Sequence, residues 1–558
     1  MTTIATVPDS MRLTMGELFL DRAEDDHTAL LFEDDRWSWR ELVAEAARRS
    51  AVLQELRPED GRPWHVGVLL ENTPEYLFLL AGASLSGATI VGINPTRRGE
   101  ELAKDIRGVD VDLVLVDAAY ADLLEGIDHG ARRVIRVDGS EWTALLDEHA
   151  DAPLAATPEA LDPNRTLVLL FTSGSTGAPK AVICSTGRWA RVTQVSIFDF
   201  THEDVAYNAM PLFHGNALMS AWSPCINSGA ALALRRRFSA SGFLPDIQKY
   251  GVTFFNYVGR SLAYVLAQPE RPEEADNRLR FGFGTEASTK DRAEFLRRYG
   301  IRVFESYGSS EGACYIINTP ETPDGALGVP QVGHQPEVVN ADGSVCPPAE
   351  FDENGVLLNA EEAIGEIVSR NAADKFEGYY KNPEAAAEKL RDGDFWTGDL
   401  AYRDQDGFFW YAGRTADWLR VDSENFSAAP VERILARYPG VTVAAVYGVP
   451  DPRTGDLVMA TLQLAPDAPT VDPAEFAAFL AAQADLGTKW APTLLRVTRD
   501  LPVTATNKVD KPTLRRQRWN TTDTVYRRVD GVYELLDAAA LEKLLGEYDE
   551  HGRRNLVS

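Results

Sequence analysis

Cysteine is scarce: Cys184, Cys225, Cys314 and Cys346 are scattered through 558 residues with no CxxC pair, so neither a zinc site nor a disulfide framework is indicated, and a reducing compartment fits. Long apolar runs are missing as well. The longest, Tyr76 to Ile93, is interrupted by Gly82, Ser84, Ser86 and Gly87 and reads as a buried helix leading into a strand from Ala88 to Ile93, not as an integral membrane segment. Met1 to Met15 mixes Asp9, Ser10 and Arg12 among apolar residues and lacks the basic-then-apolar order of a secretory signal, so a cytoplasmic location is expected. Positive charge is in deficit, 56 Lys and Arg against 84 Asp and Glu for a net charge of -28. That balance disfavours nucleic acid and anionic membrane as partners, and a polyanionic ligand would need cations supplied locally. There is no internal repeat and no low-complexity tract, so extensive disorder is not expected.

What is present is a chain too long for one hydrophobic core, which stops growing at roughly 250 to 300 residues. Short β-branched runs (His65 to Leu69, Thr89 to Ile93, Leu113 to Val116, Val134 to Val137) alternate with helical stretches such as Trp39 to Leu56. This is the signature of α/β layering with parallel strands. After Gly333, Gly355, Gly365 and Gly378 punctuate short strands around an acidic loop at Asp342 to Glu353, the texture of a small antiparallel, barrel-like unit. Beyond Gly413-Arg414 the pattern becomes a small α+β domain: a helix over Val431 to Arg437, strands over Val441 to Val449 and Val458 to Leu464, and a helix over Pro473 to Ala484. The expected boundaries are 1–414 and 415–558. In the tail a strand from Val525 to Val529, a turn at Asp530-Gly531 and a helix from Asp537 to Tyr548 are expected.

Four segments carry chemistry. In the first, the apolar run Leu169-Leu170-Phe171 enters Thr172-Ser173-Gly174-Ser175-Thr176-Gly177-Ala178-Pro179-Lys180. Successive backbone N–H groups in such a loop form an anion nest, glycine lets the backbone approach phosphate, and the lysine adds a mobile charge. The spacing is GxxGxxK with no hydroxyl after the lysine, so this is not a P-loop. The second, Ser306-Tyr307-Gly308-Ser309-Ser310-Glu311-Gly312, offers an aromatic ring for a base, hydroxyls for phosphate and a carboxylate for Mg2+. By itself it reads rather as a turn with a capping hydroxyl and a solvent carboxylate. The third is Phe395-Trp396-Thr397-Gly398-Asp399-Leu400, followed by an Asp406-Gly407 hairpin turn and Phe408 to Arg414. Asp399 can accept two ribose hydroxyls and Arg414 can donate to ribose or phosphate. The fourth, Leu501 to Lys511, presents Lys508 on a turn, in isolation an ordinary surface lysine.

In this order and at these distances the four segments resemble the adenylate-forming superfamily of acyl-CoA synthetases, peptide-synthetase adenylation domains and beetle luciferases, over roughly residues 30 to 515. The stretches Tyr257-Val258-Gly259-Arg260, Asn277-Arg278-Leu279-Arg280 and Glu424-Asn425-Phe426-Ser427 resemble its very-long-chain acyl-CoA synthetase and fatty-acid transport protein branch. The resemblance implies a large N-terminal domain of layered βαβ subdomains plus a small β-barrel-like unit, and a mobile C-terminal domain turning on a hinge at Ala416 or Asp417. It implies ATP, Mg2+ and coenzyme A as cofactors and a small-molecule carboxylic acid as substrate. Carried over by position, Thr172, Ser173, Gly174, Ser175, Thr176, Gly177 and Lys180 hold pyrophosphate. Tyr307 stacks on adenine, with Gly284, Thr285, Glu286, Ser306, Gly308, Ser309 and Ser310 around the nucleotide. Asp399, Tyr411 and Arg414 meet the ribose, Glu311 and Thr176 meet the metal, and Lys508 is the catalytic lysine, with Glu311 and His214 beside it in the catalytic set. His214 is read as gating or positioning, since adenylation removes no proton from a carboxylate.

The acyl pocket implied by the resemblance comprises Phe213, His214, Asn216, Met219, Phe255, Tyr257, Val258 and Gly284, a mostly apolar set that favours a long-chain or bulky polycyclic acid over acetate. Met219 and Val258 serve equally well as core. Three positions depart from the family pattern. Ser423, beside Glu424, stands where a glycine lines the pantetheine tunnel and narrows it; Asn507 replaces glycine before Lys508; Ser310 replaces threonine. Three functions therefore stand open at this stage: an acyl-CoA ligase, an acyl-AMP ligase delivering to a separate carrier protein, and a lipid-binding or uptake protein without turnover. The acidic surface and the helical tail admit a monomer or a homodimer.

Overall fold

A computed structural model describes the chain apart from residues 1–10, 173–179, 196–197, 286, 288, 353–356, 415–417, 422–423, 454–455, 484–485, 488, 505–507, 552 and 558, and apart from the side chains of 260, 361, 414, 418, 420 and 424–427. Its residues form two compact units, one of 1–315, 332–334 and 371–395, the other of 316–331, 335–370 and 396–558.

Two sheets build the first unit. One runs, in spatial order, Arg133–Arg136, Leu113–Val116, His65–Leu69, Thr89–Gly92, Thr166–Thr172 and Lys180–Ser185; only the last pairing is antiparallel. Leu113–Val116 is buried at every position, as a parallel strand covered on both faces must be. The second sheet orders Val303–Gly308, Phe281–Thr285, Phe254–Val258, Val205–Asn208, Ala231–Leu234, Thr28–Phe32 and Asp35–Ser38, parallel but for the final hairpin. Val205–Asn208 lies between Ala231–Leu234 and Phe254–Val258, so the strand order reverses there. In open α/β sheets the crevice beyond the carboxyl ends of the strands at such a switch point is where ligands bind.

The helices start and stop where local chemistry demands. Trp39–Glu55 begins with a capping box from Ser38 and Glu41. Pro74–Ser86 opens on its proline, closes on Gly87 in a left-handed conformation and is buried from Tyr76 onward, because its apolar residues run all round the helix. It leads into Thr89–Gly92, as the interrupted apolar run indicated. No helix among the described residues is long and apolar enough to cross a membrane. All four cysteines are buried thiols; burial pushes Cys184 up to about 11, which keeps it protonated and inert.

The second unit holds the short antiparallel strands expected after Gly333, among them Pro336–Val339 with Gly365–Ser369 and Asp394–Arg403 with Phe409–Arg414. It also holds a hairpin of Trp418–Val421 with Glu424–Ser427 and a sheet in the order Val441–Pro450, Asp456–Leu464, Leu494–Thr498, Thr524–Val529, Val532–Leu535. The helices Ala428–Leu435 and Pro473–Ala481 close over that sheet around Val431, Leu435, Leu462 and Phe476. Asp530 and Gly531 both have positive φ, the type I′ geometry of a two-residue hairpin, and Asp537 caps the final helix Ala538–Glu550.

Candidate active site

The glycine- and hydroxyl-rich loop leaves the carboxyl end of Thr166–Thr172 and returns as Lys180–Ser185. Thr172 and Lys180 are register partners, with Thr172 Oγ1 donating to the Lys180 carbonyl at 3.4 Å. Ser173, Gly174, Ser175, Thr176 and Gly177 lie outside the described residues. The returning strand is gripped by a distant segment: Ile183 N–H donates to the Gly378 carbonyl at 3.1 Å and Tyr380 N–H to the Ala181 carbonyl at 2.8 Å, while the Glu377 carboxylate accepts from Ser185 N–H and Oγ. This grip brings Tyr379 beside the lysine, with Lys180 Nζ 5.3 Å from the centre of its ring. The Tyr379 hydroxyl donates to Glu311 Oε1 at 2.7 Å.

Ser306, Tyr307 and Gly308 end the strand Val303–Gly308, and Ser309 to Gly312 form the turn beyond it, closed by Gly312 N–H on the Ser309 carbonyl. Gly308 faces the Tyr315 ring and Gly312, at φ +70°, faces the Arg188 guanidinium; a Cβ fits at neither. Arg188, almost wholly buried, donates to the carbonyls of Ile183 and Ser310 and so ties the strand after Lys180 to the turn that carries Glu311. Glu311 is half-buried, with one carboxylate oxygen engaged by Tyr379. A single carboxylate together with substrate phosphates is the donor set Mg2+ accepts, so the residues present fit that ion.

The nominated acyl-lining residues divide between the two faces of one sheet. Phe255 and Tyr257 point toward the helices: their rings lie over Gly282 and Gly284 of the neighbouring strand, and Phe255 packs on Phe243 and Phe295 at 5.1 and 5.3 Å. Tyr257 is 1% exposed, donates to the Phe304 carbonyl at 3.3 Å and, by burial, is held well above its usual pKa, so it stays a neutral donor. A cavity of about 10 Å³ on this side is lined by Tyr207, Met210, Phe243, Phe255 and Leu262 among others. On the opposite face lies the π-helical turn Asn216–Trp222, which carries Asn216 and Met219; Asn216 Oδ1 accepts from Asn256 Nδ2 at 2.8 Å. The turn follows the loop of Phe213 and His214, whose rings are 4.3 Å apart, directly after the switch-point strand. Val258 and Thr285 are register partners at the carboxyl ends of their strands.

Gly284 has a packing role whatever it binds, because a Cβ there would run into the Tyr257 carbonyl and ring. Gly284→Ala is expected to cost about 1–3 kcal/mol, the range for overpacking a filled core, read as a shifted midpoint in urea unfolding. An unchanged midpoint would mean that the strand pair yields freely.

In the second unit Asp399 is the register partner of Arg414. Its N–H donates to Thr397 Oγ1 at 3.0 Å and its Oδ1 faces the Tyr411 hydroxyl at 3.5 Å. Gly398, at φ +80°, donates its N–H to Glu366 Oε1 at 2.6 Å. Lys508 stands at the inner end of a short antiparallel pairing: Thr504 N–H donates to the Lys508 carbonyl at 2.8 Å and Asp510 N–H to that of Pro502 at 2.9 Å, and Val503 bridges Val509. Lys511 anchors the following helix to Glu432 at 2.9 Å. Glu286, Ala416, Asp417 and Ser423 lie outside the described residues, and Arg414 and Glu424 are described as strand backbone only.

Tyr379, Arg188, Glu366 and Asn256 were not singled out from the sequence. A signal existed for Asn256, a polar residue in the buried strand Phe254–Val258, 3% exposed and with no partner for its Oδ1 among the described residues. Nothing local marks Tyr379, whose partner Glu311 is 68 positions away.

The family model for AMP-binding enzymes matches residues 20–380, and that for the AMP-binding enzyme C-terminal domain matches residues 430–508. A steroid-22-oyl-CoA synthetase of Rhodococcus jostii (strain RHA1) is 50% identical over 98% of this chain and 99% of its own. A medium/long-chain-fatty-acid–CoA ligase of Mycobacterium tuberculosis is 44% identical over 89% and 95%. Among solved structures, the O-succinylbenzoate coenzyme A synthetase of Bacillus subtilis in complex with ATP and magnesium ion superposes with a TM-score of 0.74 at 26% identity, covering 90% of this chain and 98% of that one. With a family match over most of its length and a relative identical at half of its positions, the chain belongs to the AMP-binding enzyme family, as an AMP-forming acyl-CoA synthetase.

Proposed function

We propose that this synthetase activates a bulky polycyclic acid of the steroid type, with ATP, to an acyl-AMP and then to its coenzyme A thioester. The observation that carries the reading is 50% identity, over nearly the whole of both chains, to a steroid-22-oyl-CoA synthetase. A long-chain fatty acid is the second reading, supported by the 44% identical fatty-acid–CoA ligase. In the first half-reaction a carboxylate oxygen attacks the α-phosphorus of ATP and the bond to pyrophosphate breaks. In the second, the thiol sulfur attacks the acyl carbonyl and AMP leaves with the bonding electrons.

The roles we assign follow position and chemistry. Lys508 bridges the two anions of the first step. Lys180 and the loop of Thr172 to Gly177 take the pyrophosphate. Glu311, with Thr176, would hold Mg2+, which supplies charge neutralisation at the phosphates. Tyr307 stacks on adenine, flanked by Gly284, Thr285, Glu286, Ser306, Gly308, Ser309 and Ser310. Asp399, Tyr411 and Arg414 bind ribose. Phe213, His214, Asn216 and Met219 form the side of the acyl pocket that begins at the switch point. Residues 415–558 turn on Ala416 and Asp417, and coenzyme A passes Ser423 and Glu424. We place the enzyme in the cytoplasm, as a monomer or homodimer.

The test is acid-dependent release of AMP and pyrophosphate with equal acyl-CoA, over acids from hexanoate through long-chain, steroid side-chain and diterpenoid carboxylates. Each methylene newly buried is worth about 0.8 kcal/mol, roughly fourfold in kcat/KM, so activity rises along the straight-chain series and peaks on the polycyclic acids. A peak at dodecanoate to palmitate would select the fatty acid. Pyrophosphate accompanied by acyl-AMP alone, with no AMP released, would sink the coenzyme A half.

A further inference from the structure

We infer that Tyr379 is a positioning residue of the adenylation site, setting the Glu311 carboxylate through its hydroxyl and the Lys180 ammonium through its ring. The inference rests on the roles proposed above for Glu311 and Lys180. Tyr379 is 5% exposed, and its backbone is bridged to Val182 between the bonds Ile183 N–H to Gly378 and Tyr380 N–H to Ala181. Its ring packs edge-on against Phe376 at 5.1 Å. The side chain is thus fixed on both its backbone and its ring, as a group that orients another must be.

From this mount two contacts diverge. The hydroxyl donates to Glu311 Oε1 at 2.7 Å, the short length of a bond to a charged acceptor. A phenol O–H donates and a carboxylate oxygen accepts, so the bond runs from Tyr379 to Glu311. One of the two carboxylate oxygens is thereby engaged, which limits how the group can turn. The ring face meets Lys180 Nζ at 5.3 Å, within the cation–π range, which holds the ammonium at one end of the loop instead of letting its four-carbon stem sweep solvent. One side chain therefore couples the group proposed for the metal to the group proposed for pyrophosphate.

The test is Mn2+ affinity, read by electron paramagnetic resonance in the presence of α,β-methylene-ATP, on the full chain and on Tyr379→Phe, Tyr379→Leu and Glu311→Gln. Removing a group that orients a metal-binding carboxylate costs about 10- to 100-fold in metal affinity. Tyr379→Phe is expected to show that loss while keeping the ring under Lys180, so that pyrophosphate inhibition is unchanged. Tyr379→Leu loses both. In the Glu311→Gln background, Tyr379→Phe adds nothing further. Wild-type Mn2+ affinity in Tyr379→Phe, with Glu311→Gln impaired, overturns this inference and leaves the proposed function standing. No nucleotide-dependent Mn2+ binding by the wild type, or none of it dependent on Glu311, overturns the reading beneath. Should Tyr379→Phe not accumulate folded protein, Tyr379→His, which keeps a ring donor, is measured instead: retained affinity supports the inference, and lost affinity with a native thermal melt refutes it.

Discussion

Lys508→Ala is expected to lower acid-dependent pyrophosphate release by about 10²- to 10³-fold, the usual cost of removing one preorganised group from an electrostatic site, while formation of the thioester from preformed acyl-AMP and coenzyme A suffers far less. The first step drives a carboxylate against a phosphate. Two unit charges 4 Å apart repel by about 4 kcal/mol at the effective dielectric of a protein surface, and a lysine between them reverses the sign of that interaction. Only the first step brings two anions together, so the loss should be confined to it. The bonds that form the Lys508 pairing, Thr504 N–H to the Lys508 carbonyl and Lys508 N–H to Thr504 Oγ1, are made by backbone and threonine, and Lys511 keeps its pair with Glu432. Pyrophosphate exchange measured beside the thioester half-reaction separates the outcomes. Equal losses in both halves would assign Lys508 to structure, and no loss would remove it from the site.

For Asp399→Ala a rise of about 10²- to 10⁴-fold in the KM for ATP is expected. Hydrogen bonds to a charged acceptor contribute about 1.5–3 kcal/mol each, and the proposed role gives Asp399 two of them. The control is 2′,3′-dideoxy-ATP, which lacks both hydroxyls. The wild type should discriminate strongly against it, and the variant should handle the two nucleotides alike. Asp399 sits on a strand whose path depends on Gly398 at positive φ and on the backbone bond from Asp399 N–H to Thr397, neither of which uses the carboxylate, so the variant should fold. Discrimination that survived in Asp399→Ala would place the ribose elsewhere.

The positions of the chemistry-bearing segments were legible because the signals for them are local. Apolar residues running into glycines and hydroxyls place Thr172 at a strand end, and Tyr307 ends a strand for the same reason. Asp530-Gly531 has the composition its turn requires. Helix and strand limits came within a few residues: Trp39 to Leu56 was expected and Trp39–Glu55 is found, Pro473 to Ala484 was expected and Pro473–Ala481 is found. Contacts over long sequence distances were not legible. The alternation of Phe254–Val258 puts Phe255 and Tyr257 together on one face and Asn256 on the other, but a period of two does not say which face meets which layer. Phe255 and Tyr257, which the resemblance places at the acyl pocket, pack over Gly282 and Gly284 beneath the helices, and Asn256 lies on the other face, where it meets Asn216.

By itself, then, the sequence determined the α/β class, the strand-end location of its glycine- and hydroxyl-rich segment, the family and the kind of reaction, since each depends on residue types at short spacing along the chain. Only the tertiary structure decided that Tyr379 stands between Lys180 and Glu311, that Arg188 ties the strand after Lys180 to the Glu311 turn, and that Asn216 meets Asn256. These pairings arise from the packing of elements far apart in the chain. Nothing in the local propensity of either partner specifies them, because a side chain's neighbours across a layer are set by which faces are buried together.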